Sequence, residues 1–162
     1  MNKRGNVILD SITVVVVLLI FAVVGVLAYD FFGEINDGIQ DESDLTADAK
    51  TEAQTMYDRF PAVFDSLFLF VFLLIWVLAL VASYLVDASP IFYILMFILL
   101  IFVIFIGAEL ANAYFEITDD IGNTSFPMTN FIMTHFVAFI ISIGITVSIV
   151  LYGKNKYLGG GP

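Results

Sequence analysis

Hydrophobic residues along this chain fall into four long runs. Each run is free of Asp, Glu, Lys and Arg, and together they cover residues 11–29, 66–86, 88–108 and 121–153. An α-helix rises about 1.5 Å per residue, so it crosses the roughly 30 Å hydrocarbon core of a bilayer in about 20 residues. The pattern therefore predicts four transmembrane helices, near residues 8–29, 61–86, 90–115 and 127–153.

The same runs exclude a membrane β-barrel. Strands of a barrel alternate polar and apolar positions, whereas the run VVVVLLIFAVV at residues 14–24 shows no such alternation. Composition agrees with a protein in lipid, because 60% of the residues are hydrophobic and only 14% are charged. In soluble domains, about 45–50% of the residues are apolar and about 25% are charged. We expect an all-α polytopic membrane protein, with one membrane domain over residues 1–162 and a flexible tail at 154–162.

Basic residues flank the predicted spans at both ends of the chain. Lys3 and Arg4 precede the first span, and Lys154 and Lys156 follow the fourth. Cytoplasmic segments of membrane proteins carry an excess of Lys and Arg. The placement therefore predicts both termini on the cytoplasmic, or equivalent interior, side. The first span is then an uncleaved anchor, since the apolar core of a signal peptide is usually shorter.

The connection at residues 30–60 is predicted to lie outside the membrane and to be strongly acidic. Its acidic residues are Asp30, Glu34, Asp37, Asp41, Glu42, Asp44, Asp48, Glu52 and Asp58. Gly33 and Gly38 predict an irregular segment over 30–42. From Asp44 onward, apolar residues recur at helical spacing. This helix either lies on the membrane surface, rests on the bundle or continues into the second span. Packing against protein is favoured, because interfacial anchors usually carry Lys and Arg on the polar face.

Two spans are entered through a Phe-Pro pair that is followed by a polar residue. The segments are FPAVFD at residues 60–65 and FPMTN at residues 126–130. Proline suits the first turn of a helix, because its missing N–H would have no partner there. We expect Asp65 and Asn130 to lie about one turn inside their helices, where they are hydrated or cap nearby backbone donors.

Three polar residues are predicted to lie deeper. Glu109 and Asn112 occupy the last turns of the third span, and His135 lies eight residues after Pro127 in the fourth. At about 1.5 Å per residue, His135 is roughly 12 Å and Glu109 roughly 9 Å below the outer helix ends. Ionisable groups at such depth usually pair across helices. We therefore expect a Glu109–His135 contact, with Asn112, Asn130 and Thr134 as additional members. Asp65 is a further candidate for a polar contact between helices.

This polar group has three possible roles. It can hold the bundle together as an interhelical bond, it can face water at the outer mouth, or it can form part of a proton or ion path. The inner half of the protein carries no ionisable group between the predicted polar group and Asp87. That gap argues against a relay across the membrane, and we favour the interhelical bond.

Composition excludes several kinds of chemistry. The chain has no cysteine and one histidine, so it offers no disulfide, thiol nucleophile or histidine-rich metal site. Its net charge is −10, and its basic residues are concentrated at the termini, which leaves no surface for nucleic acid. We expect no enzyme activity, no catalytic residues, no cofactor and no metal.

The stretch FPMTNFIMTH at residues 126–135, with the ending IVLYGKNK at 149–156, resembles uncharacterised small polytopic membrane proteins of membrane-containing viruses. That resemblance implies a component of a virion membrane, under or within a capsid shell.

The sequence predicts a non-enzymatic structural or assembly protein of a membrane. Its partners would be the lipid bilayer and either other copies of itself or partner membrane and capsid proteins. One alternative is a small channel, holin-like pore or transporter subunit that uses the Glu109–His135 region. Another is an accessory subunit of a larger membrane complex.

Overall fold

The computed structural model describes residues 7–85, 90–120 and 125–157, and every element within them is an α-helix. The helices are α1 (Val7–Asp41), α2 (Ala47–Leu85), α3 (Pro90–Asp120), α4 (Pro127–Thr134) and α5 (Phe136–Tyr157). Four stretches in them are long and apolar enough to cross a membrane: Thr13–Asp41, Ala47–Leu85, Ile94–Asp119 and Phe136–Lys154. The prediction of an all-helical chain with four such helices is confirmed.

The first two helices are much longer than a bilayer requires. α1 has 35 residues and α2 has 39, which correspond to about 52 and 58 Å. The prediction of an irregular segment over 30–42 is wrong, because α1 continues through Gly33 and Gly38 to Asp41. Each glycine costs a helix about 1 kcal/mol relative to alanine, and packing against α2 offsets this cost. A Cβ at Gly33 would lie 3.3 Å from the Tyr57 hydroxyl oxygen, so α1 and α2 approach closely there.

The helix predicted from Asp44 onward continues into the second span. α2 runs from Ala47 through Pro61 to Leu85, which is the third of the three alternatives for this segment. Pro61 is therefore inside a helix and does not begin one. By contrast, Pro127 is at the start of α4 and Pro90 at the start of α3, as the missing proline N–H favours.

α1 and α2 form an antiparallel hairpin joined by residues 42–46. Their contacts pair rising numbers in α1 with falling numbers in α2: Phe21 with Phe68, Tyr29 with Tyr57, and Gln40 with Lys50. Beyond the apolar part of the hairpin, the Asn36 amide donates a hydrogen bond to Gln54 Oε1 at 2.8 Å. The Gln40 amide donates to the Lys50 carbonyl oxygen at 2.9 Å. These polar bonds hold the two helices together outside the apolar stretch.

The predicted fourth span is divided at His135. α4 ends at Thr134 and α5 begins at Phe136, and His135 has φ −105° and ψ 18°. The His135 N–H donates to the Phe131 carbonyl oxygen at 3.1 Å, and His135 Nδ1 lies 2.9 Å from the same oxygen. The Phe139 N–H donates to the His135 carbonyl oxygen at 2.9 Å. The backbone bonds therefore continue through His135, and α4 and α5 form nearly one helix.

The helices form a four-sided bundle. α1 packs against α2 and α3, and the α4–α5 unit packs against the same two helices. α2 and α3 are therefore diagonal to each other although they are consecutive in the chain. α2 and α5 run in the same direction and α1 runs opposite to α2, so the beginning of α1 and the end of α5 lie at the same end of the bundle.

The core is apolar and rich in aromatic residues. Its buried members are Val15, Leu18, Ala22, Val26, Phe64, Phe68, Phe72, Val103, Tyr114, Phe126, Ile132, Met133, Phe136 and Ile140. Many other large apolar side chains in the spans are exposed, for example Val17, Phe70 and Phe105. A protein that exposes so much apolar surface along helices of spanning length is an integral membrane protein, because lipid is the solvent that suits those surfaces.

Candidate functional site

Asp65 caps the beginning of α4 from another helix. α4 begins at Pro127, and Phe126 before it offers no capping side chain. Asp65 Oδ2 accepts the Met128 N–H at 2.8 Å, and Oδ1 accepts the Thr129 N–H at 2.6 Å. The Thr129 hydroxyl donates to the same Oδ1 at 2.8 Å. We call Asp65, Met128 and Thr129 the Asp65 clamp.

The clamp accounts for the free N–H groups at the start of α4. The first turn of a helix leaves its N–H groups without partners inside the helix. Pro127 has no N–H, Met128 and Thr129 donate to Asp65, and the Asn130 N–H donates to the Phe126 carbonyl oxygen at 2.9 Å. A carboxylate at this end is also favoured by the helix dipole. The missing local cap is thus supplied by α2.

The clamp is buried. Asp65 is 5% exposed and Thr129 is fully buried. A buried carboxylate is unfavourable unless hydrogen bonds replace its hydration, and here three donors do so. Hydrogen bonds to a charged group are stronger than neutral ones and gain further from a dry surrounding. The clamp therefore ties α2 to α4 at one fixed position and one fixed angle of approach.

Asn130 makes a second interhelical bond beside the clamp. The Tyr114 hydroxyl donates to Asn130 Oδ1 at 2.7 Å, and the Tyr114 side chain is fully buried. This bond joins α3 to α4, whereas the clamp joins α2 to α4. Both predicted head-group residues, Asp65 and Asn130, thus lie in contacts between helices.

Two members of this polar arrangement were not predicted from the sequence. The position of Tyr114 near the end of a predicted span is typical of an interfacial tyrosine. Thr129 has no distinguishing feature within the Phe-Pro segment. The available signal for Thr129 is its position two residues after Pro127, where a helix N-terminus needs an acceptor. No sequence signal connects Tyr114 to Asn130.

Aromatic rings cover the clamp. Phe126 is fully buried, and its ring meets three others edge-on: Tyr29 at 5.5 Å, Phe60 at 6.5 Å and Phe64 at 5.4 Å between centroids. Edge-to-face pairs at these distances are favourable. The Phe64 ring also lies directly on Gly25 of α1, where a Cβ would overlap the ring. The rings connect α1 and α2 to the start of α4 and keep water from the carboxylate.

A further polar bond links α2 and α5 nearer the other end of the bundle. Trp76 Nε1–H donates to the Thr146 hydroxyl oxygen at 3.2 Å. The Thr146 hydroxyl in turn donates to carbonyl oxygens of its own helix at Ser142 and Ile143, both at 2.9 Å. This is a local contact between two helices.

Glu109 and His135 lie at the same level of the bundle. Three pairs of facing residues set the register of α3 against the α4–α5 unit: Tyr114 with Asn130, Gly107 with Ile140, and Leu100 with Gly144. The two chain segments run antiparallel, so this register places Glu109 within about one helical turn of His135 in height. The depth match that the sequence indicates therefore agrees with the packing of the helices.

The two side chains nevertheless face outward. Glu109, Asn112 and His135 are all exposed. Within the described part of the chain, no hydrogen bond or ion pair joins Glu109 to His135. The His135 ring lies instead 4.5 Å from the ring of Phe131 between centroids. The expected Glu109–His135 contact is not present within this chain, and Asn112 and Thr134 do not connect the two residues.

In residues 7–85, 90–120 and 125–157, no group of three or more His, Cys, Asp or Glu side chains is placed to hold a metal ion. The polar groups that the structure brings together are donors and acceptors matched to each other, and they fix helices in place. No protein-family model matches the chain, no curated protein matches it, and no solved structure matches it.

Proposed function

We propose that this protein is a non-enzymatic structural component of a membrane that assembles with copies of itself or with partner membrane or capsid proteins. The observation that carries the proposal is the long hairpin of α1 and α2. Residues 30–58 continue both helices beyond their apolar stretches, and every acidic side chain in that range is exposed. An exposed, strongly acidic and helical arm suits contact with a basic protein surface.

The hairpin is stiff, which distinguishes it from a linker. The rings of Tyr29 and Tyr57 stack at 4.8 Å with an interplanar angle of 3°. Farther along, Asn36 bonds Gln54, and Gln40 and Lys50 bond each other's backbone carbonyl oxygens. A preorganised arm loses less conformational entropy on binding than a flexible segment does. These contacts support a role in assembly.

The proposal includes an orientation. Both chain ends lie on the basic, interior side of the membrane, and the acidic arm lies on the exterior side. This orientation is supported by the preference of basic residues for the interior side, because the chain ends carry Lys3, Arg4, Lys154 and Lys156. A virion membrane is the particular location that the resemblance of residues 126–135 and 149–156 implies.

The direct experiment is mass spectrometry of the complex that a tagged protein retains after mild detergent extraction. We expect recovery of further copies of the chain together with structural membrane or capsid proteins. Recovery with the subunits of one membrane enzyme favours the accessory-subunit alternative instead. Recovery of a monomer alone contradicts the proposal.

A matched pair of variants tests the acidic arm. Asp37→Asn with Glu52→Gln removes two exposed charges from the hairpin. Glu116→Gln with Asp119→Asn removes two exposed charges from the end of α3. We expect the first variant to lose the exterior partner and the second to keep it. Equal retention by both variants contradicts a partner role for the arm.

A channel or transporter subunit is the second candidate, and one observation favours it. Glu109 and Asn112 are exposed within a helix of spanning length, where a polar side chain can line a water-filled path between subunits. Conductance across liposomes that disappears in Glu109→Gln and persists in Glu116→Gln supports this candidate. Absence of any flux in the unmodified protein rules it out.

A further inference from the structure

α3 presents a stripe of exposed side chains on the side away from the bundle core. The apolar members are Ile98, 47% exposed, Phe102, 62%, and Phe105, 69%. Glu109 and Asn112 continue the stripe at helical spacing, and both are exposed. The buried residues Val103 and Tyr114 lie on the opposite side of the same helix.

Glu109 lies at a depth where lipid is a poor neighbour for a carboxyl group. It lies six residues before residue 115, the predicted outer end of the span, which places it roughly 9 Å inside that end. Ionisable side chains at such depth almost always face protein or a water-filled cavity and have a polar partner. No described group of the same chain bonds the Glu109 carboxyl. A second polypeptide that packs against α3 can supply its partner.

His135 offers the complementary group. Its Nδ1 lies 2.9 Å from the Phe131 carbonyl oxygen, and a carbonyl only accepts, so Nδ1 carries a hydrogen. This leaves Nε2 for a partner. Nε2 of a neutral ring accepts from a carboxyl O–H, and Nε2–H of a protonated ring donates to a carboxylate. The ring is exposed and lies at the level of Glu109.

We infer that Glu109 of one copy bonds His135 of a neighbouring copy. The inference rests on the self-assembly part of the proposed function. Copies that insert in the same orientation hold both groups at one depth, so a sideways approach brings them together. The two residues lie on neighbouring elements, Glu109 on α3 and His135 between α4 and α5. The contact joins α3 of one copy to the α4–α5 unit of another, either reciprocally in a two-fold dimer or in one direction around a ring.

A two-fold pairing of α3 with α3 of another copy does not give Glu109 a favourable partner. It would bring Glu109 of one copy toward Glu109 of the other, and like carboxylates at close range repel each other. The Glu109–His135 contact instead joins an acid to a base and covers the exposed rings of Phe102, Phe105 and Phe131. In the α3–α5 register, Asn112 of one copy is level with Phe131 of the next.

The absence of cysteine from the chain makes cross-linking a clean test. Asn112→Cys is introduced in one tagged copy and Phe131→Cys in a copy with a different tag, which leaves Glu109 and His135 intact. Both are reconstituted together in vesicles and oxidised. The control mixture uses Ile20→Cys in place of Phe131→Cys. Ile20 lies on the exposed face of α1, where it is 53% exposed, and within about one helical turn of Phe131 in height.

We expect a disulfide-linked heterodimer from the Asn112→Cys and Phe131→Cys mixture and little from the Ile20→Cys control. Adding Glu109→Leu to the first copy lowers the yield about threefold to tenfold, the range typical of one interhelical polar contact in a membrane. Equal yields from both mixtures, or a yield that Glu109→Leu leaves unchanged, overturn the inference.

Counting photobleaching steps of a labelled protein in the same vesicles separates this inference from the wider proposal. Oligomers that do not cross-link at these positions contradict the Glu109–His135 contact and leave self-assembly standing. Single copies throughout contradict both the contact and self-assembly.

Discussion

Asp65 caps a different helix from the one that its position in the sequence suggests. It follows a Phe-Pro pair by one turn, which is typical of a residue that caps its own helix or reaches the head groups. Pro61 instead lies inside α2, so that helix has no free N–H groups for Asp65 to cap. The carboxylate serves α4, whose sequence begins with Phe126 and Pro127 and contains no cap of its own.

The first prediction concerns the charge of the Asp65 clamp. Asp65→Asn keeps the size of the side chain but places an amide NH₂ toward a backbone N–H that needs an acceptor. We expect the free energy of unfolding in detergent micelles to fall by about 2–3 kcal/mol, since a buried donor loses its partner. The matched control is Ser66→Ala, because the Ser66 hydroxyl is exposed and bonds only the Ala62 carbonyl oxygen of its own helix. Equal stability of the two variants contradicts the clamp.

The second prediction concerns the Thr129 hydroxyl. Thr129→Val keeps the shape of the buried side chain and the backbone N–H, and it removes only the donor to Asp65 Oδ1. We expect a loss of about 1–2 kcal/mol of stability, measured by the same unfolding assay. Thr134→Val is the control, because the Thr134 hydroxyl is exposed and bonds the Asn130 carbonyl oxygen within its helix. An equal loss of stability in Thr134→Val would contradict a specific role for the Thr129 hydroxyl.

At the level of the helices, four apolar runs were enough to predict the number of spans and their approximate positions. They were not enough to predict helix ends. The extension of α1 beyond its apolar stretch passes through Gly33 and Gly38, which locally predict a helix break. It is stabilised by contacts with α2, for example between Asn36 and Gln54. Contacts of that kind leave no local pattern. The one-residue irregularity at His135 is not reported by apolar periodicity either.

The third prediction tests the extension of α1. Amide hydrogens of residues 30–41 should exchange slowly in lipid nanodiscs, because their helical bonds are supported by packing against α2. Those of residues 42–46, in the hairpin connection, should exchange rapidly and provide the internal reference. Rapid exchange throughout 30–46 would restore the irregular segment that the glycines predict.

The fourth prediction concerns the close approach of α1 and α2. Gly25→Ala introduces a Cβ into the space of the Phe64 ring, and overpacking of this kind typically costs about 1–3 kcal/mol. Gly38→Ala is the matched change, since nothing lies within 4 Å of the added Cβ. We expect that variant to be slightly more stable than the original, by about 0.4–1 kcal/mol. The stabilities of both variants and of the original protein are compared by thermal unfolding in the same detergent.

For the whole molecule, the sequence predicted the class of protein and the height of the polar residues, but not their directions around each helix axis. Counting residues along a helix predicts similar depths for residues 109 and 135, and the helix register places them within about one turn of each other in the bundle. Direction depends on how helices pack, and the packing turns both side chains outward. Asp65 and Asn130 turn inward for the same reason. The bundle thus uses Asp65 and Asn130 to hold its own helices, whereas Glu109 and His135 face away from the core.

The central claim is that four helices cross the membrane with both chain ends on one side and the acidic hairpin on the other. Cysteine substituted singly for Asn2, Asp44 or Asn155 of this cysteine-free chain, with a membrane-impermeant maleimide added to sealed vesicles, measures it most directly. We predict that Asp44→Cys is labelled from one side only and that Asn2→Cys and Asn155→Cys are labelled only from the opposite side. Labelling of Asn2→Cys and Asn155→Cys from different sides would contradict the account.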